Sequence, residues 1–122
     1  MSAKKEAKKE TWAQWDQAWD LGLTPSERLM KLENATASEF VYSNMDTTIS
    51  GDLEGMVGLI GKYLKQQDYS LVVNHIKWYE QLDQSALQWE MVDKASRKVA
   101  ICGWSHARYD GCGKLLSVSD FW

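Results

Sequence analysis

The sequence predicts an α+β fold, three helices followed by a long, mostly antiparallel sheet. Three observations predict it. Apolar residues in the first half recur at helical spacing. From Tyr69 the period changes to two. Late in the chain, Asp110-Gly111-Cys112-Gly113 separates two alternating runs, which is hairpin chemistry. Helical patterns followed by strand patterns are the α+β arrangement. Three helices laid on such a sheet make a half-barrel with a helix-closed cavity.

The first helix is expected from about Lys5 to Asp20, with Trp12, Trp15 and Trp19 as one apolar stripe. Residues 1–10 read as a charged helical lead-in. There Lys4, Lys5, Lys8 and Lys9 interleave with Glu6 and Glu10, a solvated face rather than a nucleic-acid or lipid arm. Residues 11–122 form the single domain. The second helix opens at Thr24-Pro25-Ser26-Glu27: Thr24 can cap, Pro25 suits the first helical position and Glu27 completes a capping box. Leu29 and Leu32 supply part of its buried side. Glu39 to Ser43 reads as a short strand. A third helix starts near Ser50-Gly51-Asp52, with Leu53, Met56, Val57, Ile60 and Leu64 on its apolar face. Strands follow at about Ser70 to Glu80, Ser85 to Val92, Lys98 to Tyr109 and Lys114 to Trp122. Turns at residues 81–84 and 93–97 join the first three of them.

The bulk numbers narrow the function classes. The 122 residues carry 14 basic and 17 acidic side chains, a net charge of −3, which argues against a phosphate-backbone partner. No apolar run approaches a membrane span, and the N-terminus lacks a signal-peptide core, so a cytoplasmic address is expected. Cys102 falls in a strand and Cys112 in a turn, which makes a disulfide between them unfavourable. There is no Gly-rich phosphate loop and no ligand-spaced Cys/His set, so neither cofactor nor metal is expected. The outlier is tryptophan, with seven copies. Trp12, Trp15, Trp19, Trp78, Trp89 and Trp122 suit a core, or the flat walls of a cavity. Trp104 falls on the other sheet face, where it suits a homodimer interface.

Asp120 is the candidate site residue that stands out. It is in register with Val118 and Trp122 on the face expected to point inward, and a carboxylate there needs a partner or a role. Asp16 falls among the helical tryptophans and is the second candidate acid–base group. Two converging carboxylates would split their titrations into one acid and one base. Ser105, Ser43 and Asn74 are read as inward polar groups that orient a ligand. Tyr42 is read as a donor at the pocket mouth. The alternation places His75 and His106 on the outer face, with Asn74, Ile76 and Trp78 inward.

The order of these elements resembles the nuclear transport factor 2-like superfamily, also called SnoaL-like. The resemblance runs from about Trp12 to Trp122. It is carried by Ala18-Trp19, by Phe40 to Asn44, by Gly51 with Leu53, Met56 and Val57, by Leu87 to Asp93, and most closely by the terminal hairpin. It implies a cone-shaped half-barrel with a deep apolar pocket, and dimers across the outer sheet face. Family activities include steroid isomerases, epoxide hydrolases, dehydratases and polyketide cyclases, and other members only bind. The family's steroid isomerases pair a protonated aspartic acid with a tyrosine. Alignment of their strands puts Ser105 at that acid, Ser43 at the general base and Trp15 at the tyrosine, so steroid-type isomerisation is disfavoured. Asp120 resembles a last-strand carboxylate of the family's cyclases and epoxide hydrolases, but the hydrolases' Asp-Arg-Asp set is not evident.

The expected function is a small cofactor-free enzyme. It would bind an apolar small molecule and move a proton within it, as an isomerase, cyclase or dehydratase does. The alternative is a non-catalytic binding or dimerisation module of the same fold. A third possibility is a barrel filled completely by its tryptophans.

Overall fold

The computed structural model describes residues 2–66 and 71–122, with side chains from residue 7 onward. Helix α1 spans Ser2–Gln17 and α2 spans Pro25–Ala35. Strands β1 (Thr36–Ser43) and β2 (Thr48–Ser50) precede α3 (Leu53–Gln66). Then come β3 (Leu71–Gln81), β4 (Gln84–Asp93), β5 (Val99–Tyr109) and β6 (Leu115–Phe121). The expected start of β3 at Tyr69 and Ser70 lies outside the described residues. The strand order is β2-β1-β6-β5-β4-β3. Only β1 and β6 run parallel, and every other neighbour pair is antiparallel.

The α2 start forms as its residues dictate. Thr24 Oγ1 accepts from the Glu27 backbone N–H at 3.2 Å, and Glu27 Oε1 accepts from the Thr24 N–H at 2.9 Å. The terminal hairpin also forms. Asp110 Oδ1 accepts from the backbone of Cys112 and Lys114, and Gly113 takes the left-handed φ of +84° that the turn requires. Helix α1 ends three residues before the expected Asp20. A buried Arg28 holds that end: its Nε donates to Ala18 O at 2.8 Å and its Nη2 to Asp20 O at 2.7 Å. A guanidinium on the carbonyls of the turn that follows a helix satisfies backbone groups there and fixes where the chain leaves the helix.

Helices and sheet share one core. Trp12 and Trp15 of α1, Leu32 of α2, and Met56 and Ile60 of α3 pack against Phe40, Tyr42, Leu115 and Val118. One lead-in residue departs from expectation. Lys8 is buried: its ammonium lies 3.8 Å from Glu80 Oε2 and also donates to Leu82 O. An amphipathic stem can follow apolar surface while its head finds oxygen partners, and that is how a lysine escapes the solvated face. No helix among the described residues is long and apolar enough to cross a membrane.

Candidate functional site

The inward face of the sheet carries one continuous row of side chains. In register, Asp120 of β6 opposes Ser105 of β5, Ser105 opposes Leu87 of β4, and Leu87 opposes Trp78 of β3. Tyr42 of β1 lies beside Val118 and reaches Asp120. The Asp120 carboxyl receives two short hydrogen bonds, from Tyr42 Oη to Oδ2 at 2.7 Å and from Ser105 Oγ to Oδ1 at 2.6 Å. Trp89 Nε1 donates to Ser105 Oγ at 3.1 Å, which leaves the serine proton for Asp120. Asn44 Nδ2 donates to Tyr42 Oη at 3.3 Å and to Tyr63 Oη at 2.9 Å.

Other residues extend this row around the rim, in part by contact and in part by neighbouring position in the helix or ladder. Tyr63 of α3 stacks on Trp19, with centroids 6.3 Å apart. Trp19 lies one helical turn from Asp16. Asp16 Oδ2 lies 3.9 Å from His75 Nε2. His75 opposes Trp89 across the β3–β4 ladder, and Trp89 returns the path to Ser105 and Asp120. Trp12, Trp15 and Phe40 are buried, and Trp15 packs on both Phe40 and Tyr42 beneath the rim. Trp19, Tyr63 and Trp89 at the rim are half-buried.

Burial pushes the Asp120 carboxyl above the usual aspartate range, and the bonds from Ser105 and Tyr42 pull it part of the way back. Burial, reinforced by the Asp120 charge, pushes the Tyr42 phenol far up, so it stays a donor. Asp16 is raised by partial burial and lowered by His75. With 54% of its side chain exposed, that shift carries little energy. Tyr42→Phe removes a donor that holds the Asp120 proton affinity down. Its expected result is a further rise of the Asp120 titration, read from the side-chain 13C shift.

Several expected positions change. Ser105 points inward as expected, but Ser43 does not. Tyr42 takes the inward phase of β1, and Ser43 bonds Ser119 at 3.0 Å on the outer face. Asn74 is also outward, and His75 is inward. The cause is a bulge: Ile76 has no cross-strand partner between the pairs His75–Trp89 and Lys77–Gln88. One extra residue inverts the phase of everything before it. Asp16 pairs with His75, not with Asp120. Trp15, 3% exposed, backs Tyr42 instead of facing a ligand. Trp78 donates to Glu80 at 2.8 Å and packs on Trp12. Trp122 lies beyond the end of β6 with 43% of its surface exposed. His106 and Trp104 lie on the outer face, where Trp104 stacks on Tyr79.

Two hollows lie elsewhere. One of about 600 Å³ is open between α2, β1 and the start of α3, beside Leu29, Glu33, Phe40 and Asp52. Another of about 430 Å³ lies on the outer sheet face around Asn74, Glu90 and Arg97. Asp120 borders neither. No group of three or more His, Cys, Asp or Glu that could hold a metal occurs among the described residues.

No protein-family model and no curated protein matches the sequence. Solved structures do match the fold. A proposed SnoaL-like isomerase of Agrobacterium tumefaciens superposes with a TM-score of 0.75 at 13% identity, over 95% of this chain and 97% of that one. A proposed SnoaL-like polyketide cyclase of Jannaschia gives 0.66 at 10% identity, over 95% and 85%. A de novo designed protein of the same fold also gives 0.66, at 11% identity, over 98% of this chain and 85% of the design. Fold alone does not assign an activity. The chain has the nuclear transport factor 2-like, or SnoaL-like, fold.

Proposed function

We propose that this protein is a cofactor-free enzyme that moves a proton within a flat, largely apolar small molecule. The observation that carries the proposal is the Asp120 carboxyl, desolvated yet fixed by two donors at the edge of an aromatic rim of side chains. A carboxyl raised toward neutrality is suited to take a proton and return it. Tyr42 and Ser105 are themselves buried, so they position Asp120. In the forward step Asp120 abstracts a proton, and the ligand's C–H or O–H bond breaks. His75, aligned by Asp16, supplies a proton at the far side of the rim. If that proton goes to carbon, the ligand is isomerised. If it goes to a departing hydroxyl, water leaves and a double bond forms. The names of the similar structures, an isomerase and a polyketide cyclase, are compatible with such chemistry.

The test needs no prior substrate. A panel of ring-containing ketones and hydroxyketones is incubated with protein in D2O and followed by NMR. Deuterium should enter next to the carbonyl with the parent protein and not with Asp120→Asn. A ligand that binds equally to both without exchange would favour the binding-module reading. Packing of Trp12, Trp15 and Phe40 beneath the rim supports a shallow, edge-held ligand in either case.

We also propose that the outer sheet face pairs two copies. Tyr79, Trp104 and Phe121 are 46%, 39% and 59% exposed there. Phe121 opposes Trp104 in the ladder, and Trp104 stacks on Tyr79. Aromatic residues grouped on one face are typical of interface cores. Trp104→Glu should convert a dimer to a monomer in light scattering. A parent protein that is already monomeric at high concentration would end this proposal.

A further inference from the structure

Helix α1 and strand β3 meet at three rungs. Lys8, Trp12 and Asp16 recur every four residues on one helix face. Opposite them stand Glu80, Trp78 and His75, running the other way. Four helical residues advance about 6 Å, and two strand residues advance about 6.6 Å, so the first two rungs match closely. The third rung would fall on Ile76 in a regular strand. The bulge removes Ile76 from the ladder and delivers His75 instead.

The rungs are linked. The Glu80 carboxylate faces the Lys8 ammonium through Oε2 at 3.8 Å and accepts the Trp78 indole N–H on Oε1 at 2.8 Å. The Lys8 and Glu80 side chains are 10% and 9% exposed, so their pairing is poorly screened. Trp78 in turn packs against Trp12, with centroids 6.0 Å apart. Lys8 also donates to Leu82 O at the β3–β4 turn, where Leu82 holds a φ of +52°. The far end of α1 is held independently by Arg28. At the start of α1, Lys8 therefore ties the helix to β3, while Thr11 Oγ1 donates to Gly113 O at 2.7 Å on the neighbouring hairpin.

We propose that Lys8 and Glu80 are positioning residues for the His75–Asp16 pair, acting through the Trp12–Trp78 rung and the bulge. The proposal rests on the reading of His75 as the second proton-transfer group, but its test does not require turnover. The imidazole 1H and 15N signals of His75 are assigned in the parent and in Asp16→Asn, with outer-face His106 as internal reference. Glu80→Gln keeps an acceptor for Trp78 and removes only the charge facing Lys8. In that variant the His75 signals should move at least halfway to their Asp16→Asn positions while His106 stays in place. Lys8→Met should do the same, and Lys8→Arg should hold the parent positions. Should Glu80→Gln not fold, Glu80→Asp keeps the charge and shortens its reach, with the same expected shift. A folded variant with a lowered Tm and unmoved His75 signals would overturn the proposal. His75 signals that move as expected, in a protein whose parent form catalyses no deuterium exchange, would instead count against the catalytic reading alone.

Discussion

Asp120→Asn should reduce turnover by roughly a hundred- to ten-thousand-fold, the usual worth of a positioned acid–base group, while leaving the fold at least as stable as the parent near pH 8. The two halves of this expectation have one cause. Asparagine offers an oxygen to one of the two donors, and the other hydroxyl can turn to accept from its amide, so the network with Tyr42 and Ser105 can survive. What disappears is a carboxylate held where burial disfavours its charge. The pH dependence follows by linkage. The folded protein binds the Asp120 proton more tightly than the unfolded chain does. The stability this group contributes is complete below the unfolded value, about 3.9, and is lost as pH rises through the higher folded value. The variant should therefore gain over the parent near pH 8, and the gap should close toward pH 4. Thermal melts at several pH values read this directly. A variant less stable than the parent at pH 8, with activity retained, would reduce Asp120 to a structural tie.

Trp15→Ala should cost about 3–5 kcal/mol, the range for deleting a buried large aromatic residue. That is a large share of the roughly 5–15 kcal/mol that holds a domain folded. Trp15 contacts Trp12, Trp19, Phe40 and Tyr42, so it joins α1 to the first strand. Its loss leaves Tyr42 without backing and so loosens the donor that fixes Asp120. Urea denaturation should show a lower midpoint with a similar slope, since the surface exposed on unfolding changes little. A cost below about 1 kcal/mol would mean that the cavity collapses freely.

The parts of the site legible in the sequence share a property: their phase depends only on neighbours in the chain. Ser105 and Asp120 keep the phase of their immediate apolar neighbours, Ala107 and Val118, on the far side of the irregularity that leaves Leu116 without a partner, so both read as inward. Thr24 and Glu27 form a local cap for the same reason. Asn74 and His75 were illegible because Ile76 drops out of the ladder, and a bulge leaves no mark in a pattern of alternating residues. Tyr42 and Ser43 are adjacent and cannot both face inward, and the choice of Tyr42 is set from outside, because β1 pairs in parallel with a strand 70-odd residues away. The burial of Lys8 leaves no local mark because its partners, Glu80 and Leu82, lie on a distant hairpin. The Asp16–His75 contact has the same long-range origin.

The most direct measurement is the titration of the Asp120 carboxyl by 13C NMR, assigned by its absence in Asp120→Asn. A midpoint above the ordinary aspartate value, which moves when a flat ring-containing ligand is added, is the predicted result. A midpoint at or below that value, indifferent to every ligand, would contradict the view that the rim of side chains around Asp120 is a site of proton transfer.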